Sequence, residues 1–153
     1  MREEGLAPAR SAPARGTAGT SVKTAAAARA HARAVVDTRW NPSTRPAREE
    51  DVVDLLLVVS ELVANALRHG GGLAGFEMTP VRDGVRLAVR DHSDAVPAAV
   101  GGPGFGAAGH RVGGYGWPLV VRLARDIVIE KQNNGGGKTI SVFVPVRTAE
   151  GPS

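Results

Sequence analysis

The residues best suited to chemistry lie in the run Ser60-Glu61-Leu62-Val63-Ala64-Asn65-Ala66-Leu67-Arg68-His69-Gly70. Glu61 and Asn65 are four apart, so on a helix a carboxylate and an amide stack on one face. A carboxylate can take a proton from a hydroxyl or water, and an amide oxygen can ligate a hard cation such as Mg²⁺, a combination that suits nucleotide chemistry. The same residues also fit a plain reading: Glu61 as an exposed helix residue and Asn65 as a late polar residue beside a Gly70 C-cap. This helix alone does not separate the two.

The element that must position them starts near residue 47 and runs to 69. Val52, Leu56, Val59, Val63 and Ala66 fall on one stripe at helical spacing, roughly opposite Glu61 and Asn65, and this stripe should face a sheet. Asp54, Leu57, Val58 and Arg68 share the Glu61 face, which is too apolar for a purely solvated surface and calls for a cover, a ligand or a lid.

Before it, an Ala-rich, Arg-punctuated segment from Ser21 to Trp40 reads as a helix ending near Asn41-Pro42. After it come two strands. Leu73 to Val81 turns at Arg82-Asp83-Gly84 into a segment where Val85, Leu87 and Val89 alternate with polar or small residues and deliver Asp91. From His92 to Gly116 periodicity is lost, and the glycines there suit a lid or binding loop. A helix starts near Trp117-Pro118, with proline where a first turn tolerates it. A hairpin closes the domain: Asp126 to Lys131, a turn at Gly135-Gly136-Gly137, and a strand with Ile140, Val142 and Val144 alternating.

Length and composition exclude several classes. With 153 residues the chain suits one domain with a real core. The expected division is a disordered tail over 1–20, poor in large apolar side chains, a domain over 21–147 and a short tail over 148–153. Cysteine is absent, which rules out thiol catalysis and thiolate zinc sites and fits a reducing cytoplasm. No long apolar run suggests a membrane span or signal peptide. The net charge of +4 comes entirely from the first third, where residues 1–50 hold nine Arg or Lys against five Asp or Glu, while residues 51–153 hold ten against ten. With aromatics at only 4% and not interleaved with these charges, direct nucleic-acid binding is not expected.

Gly135-Gly136-Gly137-Lys138-Thr139 looks like the end of a P-loop, but the required first glycine is Gln132 and a strand follows instead of a helix. The four histidines, His31, His69, His92 and His110, lack metalloenzyme spacing and read as solvated residues or satisfied neighbours. Gly113-Gly114-Tyr115-Gly116 before a helix is more suggestive, because glycine amides and a helix N-terminus attract anions.

Taken in chain order, Glu61 and Asn65 on a long helix, Asp91 at a strand end, Gly114 and Gly116 before a helix, and Thr139 on the last strand resemble the Bergerat-type ATP-binding domain of gyrase and histidine kinases. The set looks most like the stand-alone bacterial anti-sigma factor serine kinases, over about residues 20–147. The resemblance implies an α/β two-layer sandwich, helices on a mixed, mostly antiparallel sheet, binding ATP and Mg²⁺. It implies Glu61 as general base, Asn65 as Mg²⁺ ligand, and nucleotide contacts from Asn65, Arg68, His69, Asp91, Ser93, Gly114, Tyr115, Gly116 and Thr139, with Asp91 on the adenine amine. As partners it implies an antagonist protein that receives the phosphate and a sigma factor that is sequestered, and homodimers occur in the family. The family's Asp-x-Gly is Asp91-His92-Ser93 here, with Pro97 later as in a variant of the stand-alone branch. Its Gly-Leu after the second glycine box is Trp117-Pro118. No helical hairpin with a phospho-accepting histidine precedes the domain, which argues against a sensor histidine kinase. The alternative to a kinase is a non-catalytic, nucleotide-dependent protein-binding switch.

Overall fold

Helix α1 (Ala25–Arg39) starts at Thr24, whose hydroxyl accepts the Ala27 N–H at 3.0 Å and satisfies one of the free amides of the first turn. The computed structural model describes residues 22–41, 43–96, 116–132 and 136–149. The expected tail over 1–20, most of the expected lid and part of the last hairpin turn lie outside them. α1 ends at Arg39 with Trp40 as its C-cap, ahead of Asn41-Pro42, because the residue before a proline disfavours the helical region.

Helix α2 (Glu49–His69) opens with Glu49, Glu50 and Asp51, whose charges complement the positive end of the helix. Its buried side is wider than one stripe. Leu55, Val58 and Leu62 are buried with Val52, Val59, Val63 and Ala66, whereas Leu56 is only partly covered. The cause is packing from several directions: α1 lies along one flank, helix α3 (Gly116–Leu123) along another, and the sheet beneath. Val58, expected beside Glu61 on the uncovered face, is 0% exposed.

The sheet contains β1 (Leu73–Val81), β2 (Gly84–Asp91), β3 (Arg125–Lys131) and β4 (Lys138–Pro145), in the order β1-β2-β4-β3 with every neighbouring pair antiparallel. Period-two alternation sends Phe76, Met78, Val85, Leu87, Val89, Ile140, Val142 and Val144 to the core. The other face carries polar side chains such as Arg86, which stacks over Phe143 at 5.7 Å. Among the described residues, three helices on one side of this sheet make the expected two-layer α/β sandwich. No helix among the described residues is long and apolar enough to cross a membrane.

His31 departs from the expectation of a solvated or satisfied histidine. Its ring meets Phe76 edge-on at 5.9 Å, and its Nε2 is buried without a hydrogen-bond partner among the described residues.

Backbone pairing runs past residue 147, the expected end of the domain. Ala47 bridges Thr148, Arg48 N–H donates to the Arg147 carbonyl at 2.8 Å, and Ala149 N–H donates to the Pro46 carbonyl at 2.8 Å. The buried Asp51 carboxylate anchors this strap, accepting the Arg147 backbone N–H at 2.9 Å, its Nε at 3.0 Å and its Nη2 at 2.9 Å. Burial alone would raise the Asp51 pKa, but the Arg147 hydrogen bonds and charge outweigh it and hold the carboxyl below its ordinary range. A depressed carboxyl pKa stabilises the fold above the unfolded-state value, and the contribution disappears as pH falls through the folded value. Asp51→Asn is therefore expected to cost about 1–3 kcal/mol at neutral pH. Urea unfolding at several pH values should show the gap to wild type shrinking once pH drops below the usual carboxylate range.

Candidate functional site

The last turn of α2 and the end of β2 meet through glycine. Gly70 N–H caps α2 on the Ala66 carbonyl at 3.0 Å, and the Gly70 carbonyl accepts the His92 N–H at 2.8 Å. This contact is so close that a Cβ on Gly70 would lie 2.7 Å from Asp91 Cβ and would overlap its carboxylate. Gly71 and Gly72 then turn the chain with φ of 75° and 116°, the left-handed region that side chains avoid. The glycine triplet thus serves two needs, close approach at its first position and turning at the next two.

Asp91 itself is buried, and each of its carboxylate oxygens accepts a hydrogen bond. Its Oδ2 accepts Lys138 Nζ at 2.7 Å, and its Oδ1 accepts the Ser93 N–H at 3.0 Å. Lys138 Nζ also donates to the Ser93 carbonyl at 3.1 Å. Antiparallel register sets Lys138 directly opposite Asp91, and both side chains are under one-tenth exposed. Removing one member of such a buried pair costs about 3–5 kcal/mol, against about 1 kcal/mol net for a neutral hydrogen bond. An incoming neutral donor is therefore too weak to separate them.

A second cluster lies two turns back along α2. Glu61, half-buried, points its carboxylate at Gly116, the first residue of α3, where a Cβ would collide with Oε1 and lie 2.8 Å from Cδ. A carboxylate is electrostatically favoured at a helix N-terminus. Asn65, also half-buried, lies between the two clusters on the same helix. From Glu61 to Gly70 the helix rises about 13 Å, a span that an extended nucleoside triphosphate can bridge from base to terminal phosphate. Trp117, which follows Gly116, is 6% exposed within the core, and its Nε1 is buried without a partner among the described residues.

Not every expected residue reaches this strip. Thr139 does not: the alternation that buries Ile140 turns Thr139 to the opposite face of the sheet, where it lines a groove of about 700 Å³ with Glu77, Ala88 and Arg90. The β4 residue beside Asp91 is Lys138, which the sequence reading left unassigned. Its signal was its phase with Ile140, Val142 and Val144, which predicts burial and hence a partner. Ser93 contributes its backbone, holding Asp91 and Lys138. Arg68 and His69 are exposed at the end of α2. Gly114 and Tyr115 lie outside the described residues. Among the described residues no cluster of three or more His, Asp or Glu could hold a metal.

The chain matches the histidine kinase-like ATPase domain over residues 22–143 and belongs to that family. Searches of curated proteins and of solved structures find no match to it. Domains of this family bind ATP, typically with Mg²⁺, and the chain is an ATP-binding regulatory protein at that level of description. Its residues fit the ligand: a glycine-bounded carboxylate where α2 finishes, and two turns back along the helix a carboxylate facing a helix N-terminus.

The two close glycine contacts should respond differently to a methyl group. Gly116→Ala meets only the end of a flexible glutamate and is expected to leave stability within about 1 kcal/mol, because Glu61 can swing aside. Gly70→Ala meets Asp91 at its Cβ and is expected to cost about 1–3 kcal/mol by overpacking. Thermal unfolding of both variants measures the contrast, and equal losses would contradict the described geometry.

Proposed function

We propose that the protein is an ATP-dependent serine/threonine kinase of the anti-sigma factor type. It phosphorylates a serine of an antagonist protein and sequesters a sigma factor, acting in the cytoplasm. The observation that carries the catalytic part is the half-buried Glu61 carboxylate facing Gly116 at the start of α3, on the same helix face as Asn65. In the reaction the serine oxygen bonds to the γ-phosphorus, the bond from that phosphorus to the β–γ bridging oxygen breaks to leave ADP, and Glu61 accepts the serine proton. Mg²⁺, held with the help of Asn65, offsets phosphate charge when bound.

A second reading is a non-catalytic switch in which ATP selects the conformation that binds a partner. Trp117 favours it, because an indole buried in the core restrains the start of α3 beside Glu61. Transfer of label from γ-labelled ATP to a serine-bearing antagonist separates the two readings. In Glu61→Ala the transfer is expected to fall about 10²- to 10⁴-fold, with ATP binding retained in calorimetry. Transfer at the wild-type rate would remove Glu61 as the base, and no transfer by the wild type would favour the switch.

A further inference from the structure

We propose that Lys138 is a specificity-determining residue that reads the nucleotide base jointly with Asp91: Asp91 accepts from the exocyclic amine while Lys138 donates to the neighbouring ring nitrogen. The proposal rests on the ATP-binding reading above and concerns how the base is recognised.

The hydrogen-bond inventory of the pair leads to it. An ammonium has three donors, and Lys138 spends two, on Asp91 Oδ2 and on the Ser93 carbonyl. An ionised carboxylate offers about four acceptor positions. Asp91 uses two of them, for Lys138 and for the Ser93 N–H. Among the described residues, one Lys138 donor and spare Asp91 acceptor capacity remain within the pair.

The pair cannot easily open to expose a bare carboxylate. Separating it would strand a buried charge, which a neutral amine does not compensate. Gly70 also sets backbone against the Asp91 side chain, so the carboxylate has little room to turn toward it. A base must then be read by the intact pair, and the edge that matches an adjacent donor and acceptor is an amine next to an unprotonated ring nitrogen. Adenine presents that edge at its 6-amino group and N1. Thr139, the other polar side chain at this level of β4, faces the far side of the sheet and leaves this role to Lys138.

The test is calorimetric titration of the full chain with Mg·ATP, with the 1-deaza analogue, which replaces N1 by C–H and keeps the amine, and with the 7-deaza analogue as control. Wild type is expected to bind 1-deaza-ATP about tenfold or more weakly than ATP, the equivalent of one charge-assisted hydrogen bond, and to bind 7-deaza-ATP like ATP. In Lys138→Met the preference for ATP over 1-deaza-ATP should fall to near unity, with a thermal melt confirming the fold. The wild-type comparison decides the matter even if that variant does not fold. Equal binding of ATP and 1-deaza-ATP by wild type would overturn the role of Lys138 and leave ATP binding intact. Tighter ATP binding by Lys138→Met would also overturn it and make Lys138 a competitor of the base. No binding of ATP by wild type would instead overturn the nucleotide reading itself.

Discussion

Burial of α2 from three directions is the constraint on which the rest of the structure depends. Leu55, Val58, Val59, Leu62 and Val63 are each at most 2% exposed, and each such side chain removed from water contributes about 1.5–3 kcal/mol before the entropy of ordering is counted. With α1, α3 and the sheet all claiming part of its surface, the helix keeps one strip free of close packing, on which Val53, Leu57 and Leu67 are exposed. Glu61, Ala64 and Asn65 lie on that strip. The functional face is thus what remains after the core has been satisfied, and its direction is fixed by residues that take no part in chemistry.

Both ends of α2 are held by charge. At its start, Asp51 binds the Arg147 strap and ties the segment after β4 to the helix. At its finish, the polypeptide stops against Asp91, and Lys138 neutralises the carboxylate. The two pairs differ in kind. Arg147 is 59% exposed, so water screens that interaction, whereas the Asp91–Lys138 pair is withdrawn from solvent on both sides. A buried pair of that sort adds little net stability over an apolar pair of equal size. Removing either partner would strand a buried charge, so the pair ties β2 to β4 at this level.

The glycines near the site divide between two physical roles. At 71 and 72 the requirement is backbone conformation, since φ is positive. At 70 and 116 the requirement is space, because a carboxylate occupies the volume of the missing Cβ. Asp91 and Glu61 are thus each paired with a glycine from another part of the chain.

Much of this was legible in the chain itself. Periodicities of 3.6 and 2 are properties of local sequence, so α1, α2 and the four strands follow from spacing, and the glycine runs mark their ends. The four-residue step from Glu61 to Asn65 placed them on one face, and their order with Asp91 and Gly116 pointed to the family. The phase of β4 was legible too: alternation with Ile140 turns Thr139 outward and Lys138 inward, and reading that phase strictly would have exchanged their roles. Partners distant in sequence were not legible. That Asp51 meets Arg147, that Lys138 meets Asp91, that Val58 is covered by neighbouring helices and that Glu61 faces Gly116 all depend on which elements pack together. Local sequence sets the faces of a helix or strand, but only tertiary packing decides what each face meets.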